Sequence, residues 1–166
     1  MKAILKSWCV SAVLMVCAAT ALGDERPVLD ELDTFWAEVS RTVIEGDFQA
    51  YKETYHQDAI VVSGISKTSQ PVSRSLAEWE EGFTQTRAGK NKVGLEFRFT
   101  QRINDASTAH ETGYFRYSST GEDGIPKVSY IRFEALLVKQ DGWKTLMEYQ
   151  TALATQEEWD AAGLTP

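Results

Sequence analysis

The chain has 166 residues, with 24 Asp and Glu against 17 Lys and Arg, and a formal net charge of −7. Neutralisation of phosphates by Lys and Arg supplies most non-specific nucleic-acid affinity, so an acidic chain with no basic run excludes that class, and anionic membrane surfaces with it. A small molecule or a protein partner is the class that remains.

In chain order, Lys2 and Lys6 form a basic start, "SWCVSAVLMVCAAT" is apolar, small residues follow in "ATALG", and "DER" opens a polar chain. That order reads as a secretory signal peptide over residues 1–23, cleaved after Ala21 or Gly23. The apolar stretch falls short of the roughly 20 residues of a membrane anchor. A lipid-attached Cys17 is disfavoured by the bulky Val16 before it. The expected location is secreted or periplasmic. Cys9 and Cys17 both lie in that segment, so the mature chain has no thiol chemistry and depends on its core alone. Loss of Lys2 and Lys6 takes Lys and Arg from 17 to 15 against 24 acids, and the net charge from −7 to −9. Residues 24–166 have the length of one domain.

Leu29, Leu32, Trp36, Val39 and Val43 recur at three- and four-residue steps, which predicts an amphipathic helix from about Pro27 to Glu45 with Gly46 as its stop. Asp47 can cap a second, short helix through Tyr55. "AIVV" is a strand by its β-branched content, with "HQD" as the joint before it. "SGISKTSQPVSRS" reads as a loop or irregular hairpin. Ser75 and Glu78 have the spacing of a capping box and open a third helix over "LAEWEEGFTQTRAG".

From Val93 the period becomes two: Val93, Leu95, Phe97 and Phe99 alternate with more polar positions, the pattern of a sheet with one buried face. "STAHETGYFRYSS", "PKVSYIRFEALLVKQ" and "WKTLMEYQTAL" are further strands, joined by turns at Gly121–Gly124 and "QDG". "TQEEWDAAG" is a capped turn or short helix. Three leading helices followed by long antiparallel strands predict an α+β fold with the helices on one face of the sheet.

The sequence of a helix, Gly46-Asp47, a short aromatic helix, "YHQDAIVV", a capped helix and strands ending in "VKQDGWKTLMEYQ" resembles the SnoaL-like, ketosteroid-isomerase-like group of the nuclear transport factor two superfamily. The strongest marks are Gly46-Asp47, Asp58-Ala59 and Gly142-Trp143-Lys144, and the resemblance spans nearly the whole mature chain. It implies a cone: a curved, mixed or antiparallel sheet wrapped around three helices of the N-terminal half, with an open-ended pocket. It also implies a homodimer formed through the outer sheet face. Some members are enzymes and many only bind or assemble. Isomerases of the group place a carboxylate base five residues after the aspartate of the "DA" pair and an oxyanion-binding tyrosine seven residues before the glycine of "GD". Those positions here are Ser63 and Val39. Their third group, an acid on a late strand, falls near Ala135, with Glu134 adjacent. Proton abstraction beside a carbonyl needs a base and an oxyanion stabiliser in one pocket, so a standard isomerase is not expected.

Other residues could carry chemistry. Asp58 could orient His56 as a base, but an Asp between helix and strand more often turns the backbone. His56 stays open as a pocket-rim residue. His110 and Glu111 are adjacent on a strand and point to opposite faces. His110 shares its face with Thr112, Tyr114 and Arg116, either a pocket wall or a dimer surface, and Glu111 shares the other with Phe115 and Tyr117. Arg132 and Glu148, if both inward, would pair and favour a carboxylate-bearing ligand; the alternative is an ion pair on the outer face. Trp36, Tyr51, Tyr55, Trp79 and Phe83 sit at helical spacings as core, and in a cone they also line the pocket. Two separated histidines lack metal-ligand spacing, no phosphate-cradling loop occurs, and no metal or cofactor is expected.

The leading expectation is an exported, homodimeric domain that binds a small apolar or amphipathic molecule in its cone. The alternatives are a non-standard lyase, isomerase or hydrolase using His110, Tyr114 and Glu148, and an assembly module whose sheet face binds a partner.

Overall fold

The computed structural model describes residues 25–162, so the segment read as a signal peptide lies outside the described residues. Helix α1 (Glu25–Glu45) buries Leu32, Phe35, Trp36 and Val39 along one stripe. It ends in a left-handed Gly46 (φ 68°), whose N–H donates to the Val43 carbonyl (3.3 Å) while the Asp47 N–H reaches back to Thr42 (2.8 Å). These two bonds form the Schellman motif, which satisfies the last helical carbonyls. A Cβ on residue 46 would stand 2.5 Å from the Arg87 nitrogen, so the turn also needs glycine where another helix end closes on it.

Helix α2 (Phe48–Glu53) is capped by the Asp47 carboxylate, which accepts from the Ala50 N–H at 3.3 Å. It stops earlier than its aromatic spacing predicts: Tyr55 opens strand β1 (Tyr55–Ser63) and pairs with Thr145. The competing force is the sheet, because the Thr145 N–H takes the Thr54 carbonyl at 2.8 Å. "HQD" is therefore part of the strand, at a shift in pairing register between Tyr55 and Ile60. Strand β2 (Thr68–Pro71) completes a hairpin with β1.

Helix α3 (Val72–Arg87) starts four residues before Leu76, where the Ser75–Glu78 spacing would open it. Pro71 leads into it without a side-chain cap, and Ser75 lies inside the helix, buried, accepting from Gln70 Nε2 at 2.8 Å. The capping box occurs instead at α4 (Gln156–Ala162). There Thr155 Oγ1 accepts from the Glu158 N–H (3.2 Å) and Glu158 Oε2 from the Thr155 N–H (2.8 Å).

Strands β3 (Lys92–Asn104), β4 (Thr108–Thr120), β5 (Pro126–Lys139) and β6 (Trp143–Ala154) form an antiparallel meander close to the predicted bounds. The sheet order is β2-β1-β6-β5-β4-β3, and β1 lies parallel to β6, so the sheet is mixed and open. Register shifts at Phe99/Gln101 on β3 and at two points between β5 and β6 bend it, as bulges do.

Helices α1, α2 and α3 fill the concave side, where Phe133, Ala135 and Leu137 of β5 are almost fully buried. Not every helix lies on that face. Trp159 of α4 packs against Tyr130 (5.9 Å between centroids) and under the Arg98 guanidinium (4.2 Å), and both of those residues belong to the outer face. An antiparallel sheet with aromatic and arginine side chains on its outer face can hold a short amphipathic helix there as well.

Candidate functional site

A cavity of about 370 Å³ remains between α1, α3 and the inner face of the sheet. Trp36, Phe97, Phe115 and Phe133 form one wall, and Trp79 and Phe83 of α3 the other. Phe97 and Phe115 are on the inward face of their strands yet only half-buried, because their remaining surface faces this cavity. Val39 also lines it, so the position that the sequence resemblance assigns to an oxyanion-binding tyrosine is inside the pocket and apolar.

One end of the cavity is polar. Glu148 of β6 accepts at Oε2 from the Tyr55 hydroxyl (2.5 Å) and at Oε1 from Gln150 Nε2 (2.7 Å). The Tyr51 hydroxyl lies 3.1 Å from that of Tyr55. Since the Tyr55 proton is committed to Glu148, Tyr51 is the donor in this pair, and the relay runs Tyr51 to Tyr55 to Glu148. Burial, and then the charge of Glu148, holds both phenols well above the usual tyrosine range, so each stays a protonated donor. Among the described residues Glu148 has no lysine, arginine or histidine within ion-pair distance.

Trp36, Tyr51, Tyr55, Trp79, Phe83 and Glu148 are thus brought together. The other candidates are not. His110 and Tyr114 stand on the outer face of β4, His110 with Glu134 at 3.5 Å, so no arrangement joins them to Glu148. The inward residue of the His110–Glu111 pair is Glu111, fully buried, bonded to Trp36 Nε1 (2.5 Å) and to Arg102. Burial of that carboxylate is possible because α1 and β3 both supply donors.

Arg132 also points outward, paired with Glu158 of α4 and 5.6 Å from the Tyr114 ring centre. It neither meets Glu148 nor reaches the cavity. His56 holds the β1 joint: its Nδ1 accepts from the Asp58 N–H (3.1 Å), leaving Nε2 to donate to Gln140 Oε1 (3.1 Å). The Asp58 carboxylate is 3.8 Å from Nδ1 and mostly exposed, so the imidazole, rather than the aspartate, turns this backbone. Ser63 serves the β1–β2 turn, its Oγ accepting from the Ser66 N–H at 3.1 Å. Gln150 was not singled out by the sequence; the inward alternation from Thr145 would mark it only if the bulge at Leu146 were known. Phe97 was legible as an inward strand position; the faces of β4 and β5, and with them Phe115 and Phe133, were left open by the alternation alone.

The site can hold an apolar body and present the Glu148 carboxylate, oriented by two donors, as an acceptor of a proton or of a hydrogen bond. No family model and no curated protein matches the sequence. Solved structures do match in fold. ActVI-ORFA from Streptomyces coelicolor superposes with a TM-score of 0.61 at 16% identity, covering 79% of this chain and 98% of that one. A nuclear transport factor 2-like protein from Shewanella oneidensis gives 0.56 at 16%, covering 74% and 97%. A ketosteroid isomerase-like protein from Erwinia carotovora gives 0.55 at 15%, covering 76% and 95%. At these identities the likeness is one of architecture, and the chain has the cone fold of the nuclear transport factor two-like superfamily.

Proposed function

We propose that the protein binds a small amphipathic molecule in the cone. The observation that carries this reading is the aromatic-walled cavity of about 370 Å³ with a polar end at Glu148. Pockets of this size and character are typical of small-ligand sites. Export is part of the proposal, on the pattern of residues 1–23, with a secreted or periplasmic location. So is a homodimer through the outer sheet face, where exposed Ile60 lies beside Met147 and Leu136, and exposed Ile103 follows across His110. Light scattering at micromolar concentration tests the dimer. An acid–base activity in this pocket would use Glu148 and Tyr55 rather than His110 and Tyr114.

Binding is checked by thermal shift against a broad panel of apolar and amphipathic small molecules, because a ligand held only by the folded state raises its stability. Gly82 lines the cavity on α3, and a Cβ there meets nothing within 4 Å. Gly82→Phe is expected to fold, to occupy part of the cavity and to abolish the shift. No hit across the panel, or hits that Gly82→Phe leaves unchanged, would remove the reading.

A further inference from the structure

We propose that the ligand is a protonated amine with an apolar body, its ammonium seated against Glu148. The inference rests on the binding reading above and narrows it to a ligand class.

Four observations converge. First, Glu78 and Glu148 are the charged residues lining the cavity, and among the described residues no lysine, arginine or histidine lines it; Glu78 has Arg74 at 3.5 Å, whereas Glu148 has no cation. A carboxylate or phosphate ligand would meet like charge and no counter-ion.

Second, the protein treats two inward-facing sheet carboxylates differently. Glu111 is fully buried and has a dedicated cation in Arg102, with Trp36 as a second donor. Glu148 is half-buried and has two neutral donors, Tyr55 and Gln150. Removing a carboxylate from water without a counter-ion is costly, and neutral donors recover only part of that cost. A ligand cation supplies the missing charge.

Third, among the described residues no lysine, arginine or histidine stands within ion-pair distance of Glu148, and the nearest-strand cations point to other partners. Arg132 is engaged by Glu158, Arg102 by Asp33 and Glu111, Lys139 by Glu31, and Lys144 by the Glu53 carbonyl.

Fourth, the surroundings suit a cation with an apolar body. A carboxylate offers about four lone-pair positions, of which Tyr55 and Gln150 occupy two, leaving acceptor capacity for an ammonium. The Tyr55, Tyr51 and Trp79 rings cluster beside it, with Trp79 centred 6.5 Å from Tyr55 and 6.1 Å from Tyr51. Aromatic faces attract ammonium groups, most strongly where water is excluded.

The test uses matched sets of probes with one body and three head groups: tryptamine, tryptophol and indoleacetate; phenethylamine, phenethyl alcohol and phenylacetate; hexylamine, hexanol and hexanoate. Affinities for the protein are measured by calorimetry at neutral pH. The expected result is an order of about tenfold tighter binding for the amine than for its alcohol, with the acid weakest, as a charge-assisted hydrogen bond predicts. In Glu148→Gln, which keeps the side-chain shape, the amine should fall to the affinity of the alcohol while the alcohol changes little. Tyr55→Phe leaves the carboxylate with one donor fewer, so the amine preference should persist or grow, and this variant serves if Glu148→Gln does not fold. Equal affinities for amine and alcohol, or an amine preference that survives in Glu148→Gln or vanishes in Tyr55→Phe, overturn the ammonium assignment and leave the cavity reading standing. Failure of every probe to bind overturns both.

Discussion

Glu111 shows how a single residue holds this fold. Its carboxylate joins α1 through Trp36 to β3 through Arg102, and Arg102 continues to Asp33 at 2.5 Å. Burial works against the Arg102 charge, yet the hydrogen bonds to Asp33 and Glu111 outweigh it and hold its pKa above the usual guanidinium range. Removing Glu111 leaves Arg102 with Asp33 alone and the buried Trp36 Nε1–H without its acceptor, so Glu111→Ala is expected to cost about 3 kcal/mol, measured by urea denaturation. Replacing Glu111 and Arg102 together by apolar residues should cost less than the sum of the single changes. At this scale the sequence was partly readable. Counting along the chain located Ser63 and Val39 and argued against a standard isomerase. The strand alternation separated His110 from Glu111 but left open which of them points inward, since both faces of β4 carry polar and aromatic residues. The answer lay in Trp36 and Arg102, which are distant in the chain or on another strand.

At the scale of the element, helix ends decide placement. Near the starts of α3 and α4 the capping-box spacing occurs at Ser75–Glu78 and at Thr155–Glu158, and only the second is used as a cap. Pro71, with its pre-set φ of −56°, begins α3 earlier, and Ser75 is left inside the helix. Thr155→Ala should loosen α4 by about 1 kcal/mol of local stability. Because α4 holds Trp159 against Arg98 and Tyr130, the change should appear as faster amide exchange in residues 156–162 and altered Trp159 emission, with the meander strands unaffected. Equal loosening throughout the sheet would mean that α4 is integral to the core. Strand bounds were legible because period-two alternation and glycine turns are local signals. The end of α2 was not, because a backbone bond from β6 competes with its last turn.

For the whole molecule, the distribution of ionisable groups sets the pH range of stability. Side-chain bonds from Lys139 lower the pKa of Glu31, those from Arg41 lower Glu38, and backbone N–H groups lower Asp47, Asp105 and Glu158. A carboxylate with a depressed folded pKa contributes stability that is present above its unfolded value, and this is lost as pH falls through the folded value. The urea midpoint is therefore expected to hold from neutral pH down to the ordinary carboxylate range, about 4, and to decline below it. Tyr51 and Tyr55 act in the opposite sense: their raised folded values favour the native state below about pH 10, and that contribution is lost as pH rises further. A midpoint that rises between pH 4 and pH 3 would contradict the assignment of those carboxylate contacts.

The sequence by itself determined the order of helices and strands, the turns between them, the likeness to the cone fold and the presence of Ser63, because each is written in local periodicity or at a countable position. The tertiary structure decided which strand face turns inward, that α4 crosses to the outer face, and that Tyr55 and Glu148, 93 residues apart, meet at the polar end of the cavity. Those outcomes depend on register shifts and on partners supplied by distant elements. A two-residue period describes both faces of a strand equally, and burial chooses between them only where the donors for a carboxylate have already converged.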